Sequence, residues 1–174
     1  MGIKAAAIYC ATILAGAVVG QTTAPTAWGL FNRNVIYAAK GRQRASYPRF
    51  AELQDGTLLV TSTLSGIGSP SAFPVFESKD GGATWKWISN ITDQVNGWGM
   101  GAQPALMELL EPMGGFEPGT ILASGNSASG NGTRIDLYAS VDKGYHWQFV
   151  SHVAQGGRPN TTNGADPIWE PFLL

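Results

Sequence analysis

One eight-residue pattern occurs twice in this chain, and it restricts the fold more than any other feature. Ser78-Lys79-Asp80-Gly81-Gly82-Ala83-Thr84-Trp85 recurs as Ser140-Val141-Asp142-Lys143-Gly144-Tyr145-His146-Trp147, with Ser, Asp, Gly and Trp in register 62 residues on. The match extends upstream. Gly56-Thr57-Leu58-Leu59 aligns with Gly119-Thr120-Ile121-Leu122, and Pro48-Arg49-Phe50 with Pro104-Ala105-Leu106. A third start of the same kind is Pro171-Phe172-Leu173. Repetition at a fixed period marks a supersecondary unit that buries its apolar faces against its neighbours.

Each unit reads as four short strands. In the first they fall at residues 49–53, 57–63, 73–78 and 84–88, with a hairpin signal at Asp55-Gly56. In the second they fall at 105–110, 120–124, 135–140 and 146–153. Four antiparallel strands per unit describe a blade of a β-propeller. The expected architecture is therefore all-β, with blade one at about 44–92, blade two at about 102–155 and the start of blade three at 166–174. The octapeptide has structural work to do. The Asp accepts from backbone N–H groups of the turn, Ser adds a local hydroxyl bond, Gly permits positive φ, and Trp folds back over the hairpin. Ser78, Asp80, Gly82 and Trp85, and their counterparts Ser140, Asp142, Gly144 and Trp147, are expected to serve the fold and not catalysis. Propellers have roughly 4–8 blades, so two blades and a strand read as a fragment. The alternative is a short protein that completes a ring by self-association.

The first 20 residues read as a secretory signal peptide: Lys4 supplies the positive charge, 5–19 is an apolar run, and small residues follow. The run is shorter than the roughly 20 residues that span a bilayer, which disfavours an uncleaved anchor. The chain is thus expected to be secreted, with no membrane association after cleavage. Its only cysteine, Cys10, lies in that segment, so disulfide and thiol chemistry are excluded from the mature part. Asn90, Asn131 and Asn160 begin N-x-S/T sequons and are glycan acceptor candidates. Charged residues make up 13% and the net charge is -1, which gives no electrostatic basis for binding nucleic acid. No cofactor or metal site is expected. The two histidines, His146 and His152, are too few for a metal centre, and the Gly-rich stretch 124–132 has no following helix to make a phosphate loop.

The chemistry is expected where the innermost strands begin. Aligning the prolines puts Tyr47, Gln103 and Glu170 at one equivalent position. With Arg49 they are expected to converge near the central funnel, and Trp169 and Trp98 are candidate platforms for a sugar face. A phenol, an amide, a carboxylate and a guanidinium around one cavity suit carbohydrate. For Glu170 the structural alternative is a strand-edge glutamate bonded to backbone; for Arg49 it is an ion pair or cap.

The octapeptides resemble the Asp-box (BNR) repeat of sialidases and related propellers, although His146 stands where Thr is usual. Together with Tyr47-Pro48-Arg49-Phe50, the Asp55 to Leu59 run and Asp166-Pro167-Ile168-Trp169-Glu170-Pro171-Phe172, the chain resembles fungal exo-arabinanases of glycoside hydrolase family 93 over residues 34–174. The resemblance implies a six-bladed propeller, release of a disaccharide from the end of α-1,5-arabinan, and a retaining reaction with two glutamates. Glu170 matches one of them; its role as acid/base or nucleophile stays open, and the second is expected on a later blade, so this chain alone is expected to be inactive. The alternatives are a sialidase, although no Arg-Ile-Pro occurs here, and a non-catalytic glycan-binding propeller.

Overall fold

The computed structural model describes residues 34–174. The expected signal peptide, with Cys10, lies outside the described residues. Eight strands form two four-stranded antiparallel sheets, each a simple meander. The first contains β1 (Arg44–Glu52), β2 (Leu58–Ser65), β3 (Ala72–Ser78) and β4 (Lys86–Thr92). The second contains β5 (Met100–Glu108), β6 (Ile121–Ala128), β7 (Thr133–Ser140) and β8 (Gln148–Gly156). These are two propeller blades, and the all-β expectation stands among the described residues.

The strands depart from expectation mainly at their ends. β6 runs on through Gly125-Asn126-Ser127-Ala128, residues of low strand propensity, because each pairs with a residue of β7. Trp85 and Trp147 precede β4 and β8 instead of opening them. Their indole N–H groups donate to the carbonyls of Gly82 and Gly144 at 3.0 and 3.1 Å, so each ring closes the turn. Residues 166–174 carry no strand. Nothing among the described residues pairs with them as a ladder, and Pro167 and Pro171 lack the N–H that a ladder needs.

The two octapeptides fold alike. Ser78 Oγ donates to Asp80 Oδ1 and accepts from Gly82 N; Ser140 Oγ does the same with Asp142 and Gly144. Asp80 Oδ1 accepts from Thr84 N and Asp142 Oδ1 from His146 N, both at 2.8 Å. Gly82 and Gly144 both sit at φ 90°, where a side chain is strained.

The main core lies between the sheets. Leu59, Phe73, Val75 and Ile91 of blade one meet Met100, Ile121, Ala123 and Tyr138 of blade two, with Trp147 and Phe149 at its margin. Phe73 presses on Gly125, where a Cβ would lie 2.1 Å from the ring. Polar contacts close the seam. Trp147 Nε1 donates to Ser89 Oγ at 3.1 Å, Gln94 Nε2 donates to Trp147 O at 2.8 Å, and Glu108 accepts from Gln54 N at 2.7 Å. Asp55 pairs with Lys143. A second apolar group, Leu109, Leu122 and Ala139, forms on the other face of blade two.

Candidate active site

The first and second strands of each sheet set one corner each. Tyr47 (φ 50°) and Gln103 (φ 57°) are left-handed, and with Lys143 they are the non-glycine residues of positive φ among the described residues. Each sits at a break in register, between Ser46 and Arg49 on β1 and between Ala102 and Ala105 on β5. The proline that follows each one restricts it further. A bulge of this kind bends an inner strand and re-aims side chains. The aligned prolines thus mark a real structural equivalence for Tyr47 and Gln103. Glu170 does not share it, since it lies outside any strand and without positive φ.

Glu170 is brought in by contact instead. Arg49 Nη2 donates to Glu170 Oε1 at 2.5 Å, and both side chains remain close to half exposed. Arg49 Nη1 also bonds to Pro48 O at 3.2 Å, which holds the guanidinium beside its own strand. The pair joins blade one to the segment after blade two. Tyr47, two positions before Arg49 on β1, is exposed, and so in part is Trp169. Gln103 belongs more to the seam: its N–H donates to Thr63 Oγ1 at 3.1 Å, and its buried Oε1 has no protein partner.

Trp98 is built into a loop rather than left open as a platform. The Arg134 guanidinium lies over its ring at 5.2 Å, and its edge meets Gly132. The loop 93–99 winds around Asp93, whose carboxylate accepts from the N–H groups of Val95, Asn96, Trp98 and Gly99. Burial pushes Asp93 up, but these four amides outweigh it and hold the group below the usual carboxylate range. Beside it, the fully buried Asp136 accepts from Asn96 Nδ2 and lies 2.7 Å from His152 Nδ1. Arg134 Nη1, 3.4 Å from His152 Nε2, can only donate, so the Nε2 contact assigns the ring proton to Nδ1. The sequence reading missed this network. Its members come from the loop before β5, from β7 and from β8, so no single stretch of sequence signalled it.

The octapeptide turns join β3 to β4 and β7 to β8, at the sheet edges opposite the Tyr47 and Gln103 corners. The Ser and Asp side chains are spent within the turns, while Lys143 and Trp147 also reach blade one. His146 lies on Asp142 and His152 on Asp136, and no cluster of metal-ligating residues occurs among the described residues.

No protein-family model matches the chain, and no curated protein matches it. Among solved structures it is similar to the GH93 α-L-arabinofuranosidase of Fusarium graminearum in complex with arabinobiose: 46% identity, TM-score 0.77, covering 80% of this chain and 40% of that one. It is also similar to the α-L-arabinanase of Penicillium chrysogenum complexed with arabinobiose, at 43% identity and TM-score 0.77, covering 80% of this chain and 41% of that one. The Fusarium enzyme is also known with an iminosugar inhibitor. The chain spans about 40% of the length of the structures it matches.

Proposed function

We propose that this chain is part of a secreted retaining glycoside hydrolase of the GH93 type, exo-acting on α-1,5-arabinan, with Glu170 as one of its two catalytic carboxylates. The Arg49–Glu170 pair carries the reading. It supports an oriented, accessible carboxylate next in sequence to exposed Trp169 and paired to the strand that carries exposed Tyr47, in a chain 43–46% identical to enzymes solved with arabinobiose. Glycoside hydrolysis needs two carboxyl groups flanking the scissile bond. In this pairing Glu170 Oε1 accepts from Arg49 Nη2, and its role as acid/base or nucleophile is left to the partner carboxylate's position. Trp169 and Tyr47 offer apolar ring faces to the sugar, and Arg49 orients the carboxylate. The partner carboxylate belongs to a later blade, so the chain alone binds sugar without turning it over.

Secretion belongs to the same proposal. The apolar run at 5–19 supports it, as do the exposed positions of Asn90, Asn131 and Asn160, which leave room for glycans. A mass shift on endoglycosidase treatment, after expression in a eukaryotic secretory host, tests that part.

The enzymatic reading is tested by titrating the chain with arabinobiose and with a sialoside while following the Arg49, Tyr47 and Trp169 signals by NMR. Arabinobiose is expected to move them, and Glu170→Gln to weaken the response. A response to the sialoside alone, or to neither sugar, would sink the arabinan assignment. Turnover of linear arabinan by these 174 residues would overturn the placement of the second carboxylate.

A further inference from the structure

Glu170 sits in a segment with no strand ladder, so something other than a sheet must fix its backbone. Two buried polar side chains of blade two do so. Thr133 is fully buried, and its Oγ1 accepts from Ile168 N at 2.9 Å while donating to Gly157 O at 3.0 Å. Its single proton and a lone pair are both committed, which fixes the sense of each bond. Asn126 is 1% exposed, and its Nδ2 donates to Ile168 O at 2.7 Å. Both backbone groups of Ile168 are therefore held by side chains, two residues before Glu170. The approach to this clamp is tight. Gly157 N donates to Asp166 O at 2.9 Å, and a Cβ at Gly156 would lie 2.6 Å from that same oxygen. A Cβ at Gly157 would lie 1.9 Å from Asp166 Oδ1.

We infer that Asn126 and Thr133 are positioning residues of the candidate active site, clamping Ile168 so that blade two sets where Trp169 and Glu170 stand. The inference rests on Glu170 being a catalytic carboxylate. Buried hydroxyl and amide groups cost free energy unless bonded, so residues that served packing alone would be apolar here. With the clamp on one side and Arg49 on the other, Glu170 is held from both blades: by its backbone from blade two, by its carboxylate from blade one. Loss of about an ångström of placement is enough to slow glycosidase-type chemistry on the order of a hundredfold. Asn126 and Thr133 touch neither sugar nor reacting atoms in this arrangement; they act through Ile168.

The test uses the isotope-labelled chain as wild type, Thr133→Val, Thr133→Ser and Arg49→Ala. Thr133→Val keeps the shape and removes the hydroxyl, whereas Thr133→Ser keeps the hydroxyl. The Ile168 amide is expected to be protected from exchange in wild type and Thr133→Ser, and to exchange on the order of tenfold faster in Thr133→Val. The side-chain carboxyl ¹³C signal of Glu170 is expected to move in Thr133→Val toward its position in Arg49→Ala, and to stay in place in Thr133→Ser. Asn126→Asp, which turns a donor into an acceptor facing Ile168 O, should repeat the Thr133→Val result and replaces it if that variant does not fold. An unprotected Ile168 amide in wild type overturns the clamp. A Thr133→Val chain that frees Ile168 but leaves the Glu170 signal unmoved overturns the positioning role. If wild type fails to bind arabinobiose, the enzymatic reading falls, while the Ile168 and Glu170 signals still decide whether the clamp places Glu170.

Discussion

His146 Nδ1 lies 2.5 Å from Asp142 Oδ2, the place that the Thr84 hydroxyl takes on Asp80 Oδ2 at 2.6 Å in the first octapeptide. An imidazole N–H thus does the work of a hydroxyl, and the second turn keeps the other Ser, Asp and Trp side-chain bonds of the first. His146→Thr is therefore expected to change stability by no more than about 0.5 kcal/mol. His146→Val keeps the backbone bond to Asp142 but loses the side-chain one, and should cost about 1 kcal/mol. Urea midpoints of the two variants check this. A His146→Thr chain less stable than His146→Val would contradict the equivalence of the two turns.

Acid should weaken the protein through these same turns. The Thr84 hydroxyl, with the Thr84 N–H and Ser78, holds Asp80 at about 2, against an ordinary value of 3.8. Lys143 and then the Thr57 amide hold Asp55 well below that value. Burial pushes Asp142 up, but the His146 and Ser140 bonds more than reverse it. A carboxyl with a lower pKa folded than unfolded stabilises the fold above the unfolded value, and that stabilisation is lost as pH falls through the folded value. Stability is therefore expected to drop as pH is lowered from about 4 to about 2, and Asp80→Asn should flatten the drop. Urea melts across that range measure it; a flat profile in wild type would argue against the bonded carboxylates.

The repeat made the architecture legible because its constraints are local. A turn that needs an acceptor, two permissive positions and a closing indole writes itself into eight residues. Even so, Lys143 occupies at φ 60° the place Gly81 holds at φ 68°, which no local rule would have required. Lys143 also reaches Asp55 across the seam, a contact outside the turn that the octapeptide cannot encode. Proline alignment found the Tyr47 and Gln103 corners for the same local reason. It overreached for Glu170, which shares the motif without the backbone and reaches the site through Arg49 and Ile168. The Asp93, Asn96, Asp136 and His152 network was illegible because its members lie up to 59 residues apart and meet only once β7 pairs with β8 and the loop 93–99 lies against them.

The seam tolerates no side chain at Gly125. A Cβ there would stand 2.1 Å from Phe73 Cε2 and 2.8 Å from Cζ, and the Phe73 ring is nearly fully buried. Gly125→Ala is expected to destabilise by about 1–3 kcal/mol, the usual range for overpacking a core. Phe73→Leu alone should also cost stability by leaving a void, but in combination with Gly125→Ala the two losses should be less than additive. A double-mutant cycle in urea reads this coupling. Additive losses would mean that the ring moves away freely and that the blades do not meet through this contact.

Asp93 is the single acceptor around which the loop into β5 is wound, and removing it should show how that loop holds the second corner. Its two oxygens take four backbone N–H groups, and Oδ2 also lies 3.3 Å from Ser127 Oγ. Gly99, whose amide is one of the four, lies against Ser71 with no room for a Cβ, and Met100 N then donates to Ser71 O at 2.8 Å. The chain is thus held at Val95, Asn96, Trp98, Gly99 and Met100 on its way from Asp93 to the strand that carries Gln103. Asp93→Ala leaves those amides without their charged acceptor and is expected to cost about 2–3 kcal/mol. Hydrogen exchange should rise first at Val95, Asn96, Trp98 and Gly99, and the Trp98 indole should lose its Arg134 partner and shift its fluorescence. Asp93→Asn offers one acceptor oxygen where Asp93 offers two, so its effect should fall between wild type and Asp93→Ala. If the four amides stay protected in Asp93→Ala, the loop is held by its packing against Ser71 and Arg134, and the carboxylate is not its organising centre.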